Sequence, residues 1–236
     1  LRYVSSVKEL GRPDLVIIPG TKSTIEDLLW MRSCGLEAAV KKLAGAEIPV
    51  FGICGGYQIM GNTITDKEGA EQKAGSPNTQ VRGMELLPID TEFETEKVRT
   101  RVAGTFDQVT GILKELSGLE IEGYEIHMGE TKRAGGRPCT GIRKESDPAG
   151  AAIKEDGCIQ SRAAGTYVHG FFDSQEIQRA VWELLAGKYG ISMDKLPEAG
   201  GFSMAAHKEE QYKKLAGILR ENLDMDRIYG ILDRRL

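Results

Sequence analysis

Val50-Phe51-Gly52-Ile53-Cys54-Gly55-Gly56-Tyr57-Gln58 is the stretch from which the rest of the chain is read. An apolar run over 48–53 has the character of a buried strand, stops at a cysteine set among glycines, and gives way to residues suited to a helix over 57–61. A thiol placed there rides on a sharp strand-to-helix turn, the geometry of a nucleophile elbow. Gly52 and Gly55 lack the Cβ atoms that would crowd it, and the first amides of the helix lie beside it. Those amides and the helix dipole are expected to favour thiolate and to lower the pKa of Cys54. The competing reading of this stretch alone is a glycine-rich turn holding a buried structural cysteine.

Upstream, 1–6 reads as a short strand and 15–18 as a buried parallel strand entered through the Gly11-Arg12-Pro13 turn. Ser23 or Thr24 then caps a helix over 25–31 that carries Glu26 and Asp27 in its first turn, and Gly35 separates it from a second helix over 36–44. Two strand–helix alternations before Cys54 predict an α/β sheet with crossover helices. Downstream, the polar segment 61–81 reads as a surface excursion, a solvated loop or a lid. The β-prone stretches 83–93 and 97–106 form a meander or hairpin, and short strands follow over 121–128, 139–142 and 151–153, so the middle third is more antiparallel than the first. A β-prone run ends at His169, and Asp173 or Ser174 caps a helix over 175–185. Beyond a linker over 187–201, an amphipathic helix over 205–223 presents Leu215, Ile218, Leu219 and Leu223. The domain expectation is a core over 1–188, with room for an absent first strand, and a linker and helical segment over 189–236 packed on that core. Leu1 in place of Met is read as a fragment or a processed product.

A chain of 236 residues, 40% hydrophobic and 28% charged, is long enough for a large core. Its formal charge of −4 supports neither a nucleic-acid nor an anionic-membrane partner. Four cysteines without CxxC spacing and three histidines suggest neither a zinc site nor a disulfide framework, which favours the cytoplasm. No signal peptide and no run of 18 apolar residues occurs. No metal ligand set is assigned.

A thiolate that attacks an amide or acyl carbonyl needs a base and an oxyanion stabiliser. His169 is the best base, since it falls where a strand end faces the same edge as Cys54. Gly20 with Thr21, and the amide of Gly55 directly after the nucleophile, are the expected oxyanion donors. Thr21 and Thr24 hydroxyls serve either as polar contacts or as turn and cap groups. Lys22 and Arg101 are weak carboxylate contacts, and His207 reads as a surface or cap-side residue.

Four motifs, Pro19-Gly20-Thr21-Lys22-Ser23-Thr24, Gly52-Ile53-Cys54-Gly55-Gly56-Tyr57-Gln58, Gly123-Tyr124-Glu125-Ile126-His127-Met128-Gly129 and Gly165-Thr166-Tyr167-Val168-His169-Gly170, occur in an order that resembles the cobyric acid synthase branch of class I glutamine amidotransferases. The resemblance covers essentially the whole chain and implies a flavodoxin-like α/β sheet flanked by helices, with an antiparallel β excursion. It further implies that Cys54 attacks the carboxamide of glutamine, that His169 moves the protons, that Gln58 belongs to the oxyanion and substrate group, and that His127 is a substrate-side or interdomain residue. The implied partners are glutamine, an N-terminal synthetase region using ATP and Mg²⁺, and through it a corrinoid acceptor. The chain itself is expected to hold no cofactor, having no GxxxxGK[ST] sequence. Many amidotransferases carry a glutamate two residues after the histidine. Phe171 stands there instead, and Glu130 is the candidate substitute acid. The alternatives are a glutaminase serving another synthetase, such as one amidating a cell-wall precursor, a latent interaction domain, and a cysteine peptidase.

Overall fold

The computed structural model describes residues 1–71, 78–107, 109, 111–148, 150–192 and 203–233. In chain order the elements are α1 (Val7–Leu10), β1 (Val16–Ile18), α2 (Thr24–Ser33), α3 (Leu36–Gly45), β2 (Val50–Ile53), α4 (Gly55–Ile59), β3 (Thr63–Asp66), β4 (Thr79–Arg82) and β5 (Ile89–Phe106). After a 3₁₀ turn at Gly111–Leu116 come β6 (Glu120–Arg133), β7 (Thr140–Lys144), β8 (Lys154–Asp156), β9 (Cys158–Gln160), β10 (Ala163–Thr166), β11 (Val168–His169), α5 (Gln175–Lys188), α6 (Met204–Asn222) and α7 (Met225–Leu232). Residues 1–6 form no strand; Ser6 instead accepts the amide of Glu9 and caps α1.

Two sheets result. The first has the order β1-β2-β10-β9, with β2 parallel to both β1 and β10 and β9 antiparallel at the edge. The second is the larger, seven strands built on the path β11-β6-β5-β3-β4 with β7 and β8 attached through β5, so the expected antiparallel excursion outweighs the parallel sheet in strand number. Strand β2 is apolar throughout because it is covered on both faces. Val50 enters a cluster with Ile18, Ile25, Leu28, Ile59 and Met60, while Phe51 enters another with Phe106, Ile121, Ala164, Val168 and Phe171. Each such fully buried side chain contributes about 1.5–3 kcal/mol.

Three expectations are corrected. The stretches 83–93 and 97–106 are not two strands of a hairpin: from Ile89 to Phe106 they run as one strand, β5, whose register against β6 shifts between Glu92 and Lys97. The segment 61–81 is not only a surface excursion. Its β3 and β4 enter the second sheet, with Ile64 and Asp66 fully buried, and Asp66 accepts the amides of Ala70 and Glu71 to hold the following turn. The strand expected over 151–153 lies at Lys154–Asp156.

Helix α5 starts as expected at Ser174, whose side chain accepts from the Ile177 amide. The linker expected over 187–201 falls largely on residues outside those described. Helices α6 and α7 follow, and among their described residues none is buried. Leu215, Ile218, Leu219 and Leu223 are exposed, and Lys208 pairs with Asp173 at 2.9 Å. No helix among the described residues is long and apolar enough to cross a membrane.

Candidate active site

Cys54 caps α4 with φ 52° and ψ −111°, a backbone conformation that costs a non-glycine residue about 1–3 kcal/mol. Two hydrogen bonds hold it there: its amide donates to the Thr166 carbonyl at 2.9 Å, and its carbonyl accepts the Gln58 amide at 3.0 Å. The glycines after it are required by packing. A Cβ at Gly56 would overlap the Ile18 carbonyl, and one at Gly55 would lie 2.6 Å from Thr21 Cγ2 and 3.1 Å from the Thr21 nitrogen. The peptide groups of Gly55 and Thr21 are thereby pressed together beside the thiol, the pairing expected of an oxyanion site. Gly20 clears the space between the Cys54 and His169 side chains, since a Cβ on it would sit 2.9 Å from His169 Cε1 and 3.6 Å from Cys54 Cβ.

The Thr21 hydroxyl is used in the turn, donating to Asp27 and accepting the Ser23 amide at 3.1 Å. Ser23 is the N-cap residue of α2 without a side-chain cap bond. The amides of Thr24 and Ile25 instead donate to the Glu71 carboxylate at 2.7 and 3.0 Å. Glu71 therefore closes the helix from the segment expected to be a solvated loop, and its charge bears on Cys54.

His169 ends the two-residue β11, opposite Tyr124 of β6. Gly123 permits this, because a side chain there would overlap the His169 carbonyl. The imidazole Nε2 is buried and has no hydrogen-bond partner among the described residues. The carbonyl of Ile126 lies at both side chains: the Cys54 thiol donates to it at 3.3 Å, and it faces the His169 ring, whose pKa it draws upward. Burial lowers the pKa of His169, with the Ile126 bond acting the other way.

The expected low thiol pKa is overturned. Burial pushes Cys54 up to about 11, the Gly55 amide draws it down, and Glu71 adds to the rise. A helix of five residues has too small a dipole to outweigh the loss of water around the sulfur. The resting pair is a neutral thiol and a neutral imidazole.

Gln58 is 2% exposed and fully engaged. Its amide oxygen accepts from Thr24 at 3.3 Å, and its nitrogen donates to the Met128 carbonyl at 3.2 Å and the Tyr167 hydroxyl at 3.0 Å. It is a strut between α4, β6 and the β10–β11 corner. His127 is buried beside it, stacked on Tyr167 with ring centroids 3.8 Å apart. Glu130 is exposed and ion-paired with Lys132 at 3.8 Å, whereas the ring contact of His169 is the Ile126 carbonyl. Phe171, at the position of the usual glutamate, is buried against Phe51, Phe106 and Phe172. Arg101 lies over the Tyr124 ring and pairs with Glu145, and Lys22 and His207 are exposed.

Sequence reasoning missed Glu71, Glu125, Asp156 and Tyr167. Glu125 had a signal, standing two residues before His127 and so on the same face of a strand. Asp156 had only its setting beside the apolar Cys158-Ile159. Fully inside, it accepts from the Thr140 hydroxyl at 2.9 Å, from the Thr166 hydroxyl and from the Tyr167 amide, and holds the corner that leads to His169. Among the described residues, no group of three His, Cys, Asp or Glu side chains is arranged to hold a metal ion.

Residues 1–177 match a family described as the CobB/CobQ-like glutamine amidotransferase domain. The chain is 44% identical to a cobyric acid synthase of Ruminiclostridium cellulolyticum over 99% of its own length and 44% of that protein. It is 40% identical to a cobyric acid synthase of Lachnoclostridium phytofermentans over 99% of its length and 45% of that protein. It thus spans less than half the length of these relatives. A solved structure of PurLQS from Thermotoga maritima shares the fold at 16% identity, with a TM-score of 0.50 over 80% of this chain and 85% of that one.

Proposed function

This chain belongs to the CobB/CobQ-like glutamine amidotransferase family, and from that premise we propose that it is the glutaminase part of a cobyric acid synthase-like enzyme. Cys54 passes its proton to His169 and attacks the side-chain carboxamide of glutamine. The amides of Gly55 and Thr21 receive the oxyanion. His169 returns the proton to the departing nitrogen, ammonia leaves, and a glutamyl thioester remains. Water, deprotonated by the same imidazole, then releases glutamate.

In this reading the ammonia serves an ATP-dependent synthetase region of the longer protein, where Mg²⁺ and ATP belong and where peripheral carboxylates of cobyrinic acid a,c-diamide become amides. The setting is cytoplasmic. The observation that carries the proposal is the juxtaposition across Gly20: the strained Cys54 and the ring of His169 stand on either side of it, within 3.6 and 2.9 Å of the place where its Cβ would be.

A second reading has its own support. With the thiol pushed up to about 11, the site at rest lacks its nucleophile, as expected of a domain that stays latent until a partner or substrate completes it. One experiment separates the two. Ammonia release from glutamine, and trapping by a glutamine-derived electrophile, are measured with and without the synthetase region, with Cys54→Ala as the blank. Turnover in both arms supports an autonomous glutaminase, and turnover only with the partner supports the latent form. No trapping in either arm, or undiminished turnover by C54A, would refute the role of Cys54. Amidation of the corrinoid by the reassembled protein identifies the acceptor.

A further inference from the structure

Among the described residues no carboxylate bonds the His169 ring, yet that ring needs an orienting partner if it is to act as a base in one tautomer. The Ile126 carbonyl is the group in contact with it, and a backbone carbonyl is only as well placed as the strand that carries it. Glu125 and His127, the residues on either side of Ile126, project to the same face of β6 and bond each other, Nε2 to Oε1, at 3.0 Å. The other ring nitrogen of His127 meets the Gly129 carbonyl at 3.0 Å. With an oxygen partner at each ring nitrogen, the plane of the His127 ring is fixed from both sides. Lys154, from β8, closes on the same Glu125 oxygen.

The pair reaches the second reacting element as well. His127 lies flat on Tyr167, at an interplanar angle of 21°, and Tyr167 precedes the base by two residues. The Tyr167 hydroxyl bonds Gln58, which ties the assembly to the helix that follows Cys54. Burial alone would raise the carboxyl of Glu125, but the bonds from His127 and Lys154 hold it ionised, with a pKa of about 2.

We propose that Glu125 and His127, braced by Lys154, are positioning residues that fix the Ile126 carbonyl against the thiol and the imidazole, and that this carbonyl takes the orienting role a carboxylate plays in a catalytic triad. The proposal rests on the glutaminase reading for its kinetic consequence and on geometry alone for its structural one.

The test uses the full chain with ¹⁵N-labelled histidine and the substitutions His127→Gln, Glu125→Gln and Lys154→Gln, each checked for folding by circular dichroism. In the parent protein the His169 ring nitrogens are expected to report one neutral tautomer. In H127Q and E125Q they average between two, and kcat for ammonia release falls about 10- to 100-fold while KM changes by less than about threefold. K154Q moves both readouts in the same direction by less. Folded H127Q and E125Q proteins with an unchanged His169 signature and unchanged kcat would overturn the proposal. Should those two fail to fold, K154Q decides, because the Lys154 side chain is 57% exposed and its removal spares the core. An unaltered signature and kcat in folded K154Q would then count against the clamp. Absence of glutamine turnover both in the parent chain and with the synthetase region added refutes the glutaminase reading and leaves the tautomer measurement standing as the test of the clamp.

Discussion

The two halves of the site are built by different means. Cys54 is placed by backbone fitting backbone: a short parallel strand, a strained turn, and two glycines pressed onto the end of β1 and the loop after it. His169 is placed by buried polar groups far apart in sequence, with Asp156 gripping the corner before it and the Glu125–His127 pair fixing the strand beside it. One half depends on shape and the other on satisfied charge. Cys54 is therefore sensitive to added volume, and His169 to a lost hydrogen-bond partner.

The sharpest break of that contrast is Gly56→Ala, which drives a methyl group into the backbone of Ile18 and Pro19. It is expected to cost more than about 4 kcal/mol in urea unfolding. Gly187→Ala in α5, where nothing lies within 4 Å of the added carbon, should be tolerated or stabilise by up to about 1 kcal/mol. Similar losses at both positions would mean that close approach is not what glycine provides at the elbow.

Next in size is the charge state of the nucleophile. A thiol with its pKa raised to about 11 is mostly protonated at neutral pH and becomes thiolate as pH rises. Alkylation of Cys54 by iodoacetamide, without glutamine, should therefore accelerate about tenfold per pH unit between 7 and 10. A rate that levels off near pH 7 would show that the elbow tunes charge as well as shape.

The smallest of the three effects belongs to the base side. Asp156→Ala leaves the hydroxyls of Thr140 and Thr166 and the Tyr167 amide without their acceptor. It should destabilise the chain by about 2–3 kcal/mol and lower ammonia release with Cys54 still open to alkylation. An equal loss of alkylation would show that the two halves do not separate.

What the sequence made legible follows the same division. The strands over 15–18 and 48–53, the glycine-flanked cysteine and the Ser174 cap are local patterns, and the folded chain keeps them. Strand β5 was hidden because its middle, from Glu94 to Arg99, is exposed and charged, so its hydrophobic alternation fails while the backbone continues. β3 was hidden because Thr63, Thr65 and Asp66 read as loop residues, although Asp66 is buried as an acceptor for the next turn. Cys54 and His169 stand together because each motif fixes its own residue at a strand end. The protonation of the thiol was misjudged because β6, distant in sequence, lies over it, which no pattern around residue 54 reveals.

The left-handed turn at Cys54 also bears on descent. A backbone at φ 52° suits glycine better than any side chain, so the thiol sits there against a standing pull toward the smaller residue. A copy of this domain released from catalysis and kept only for its contacts gains stability by the single change Cys54→Gly.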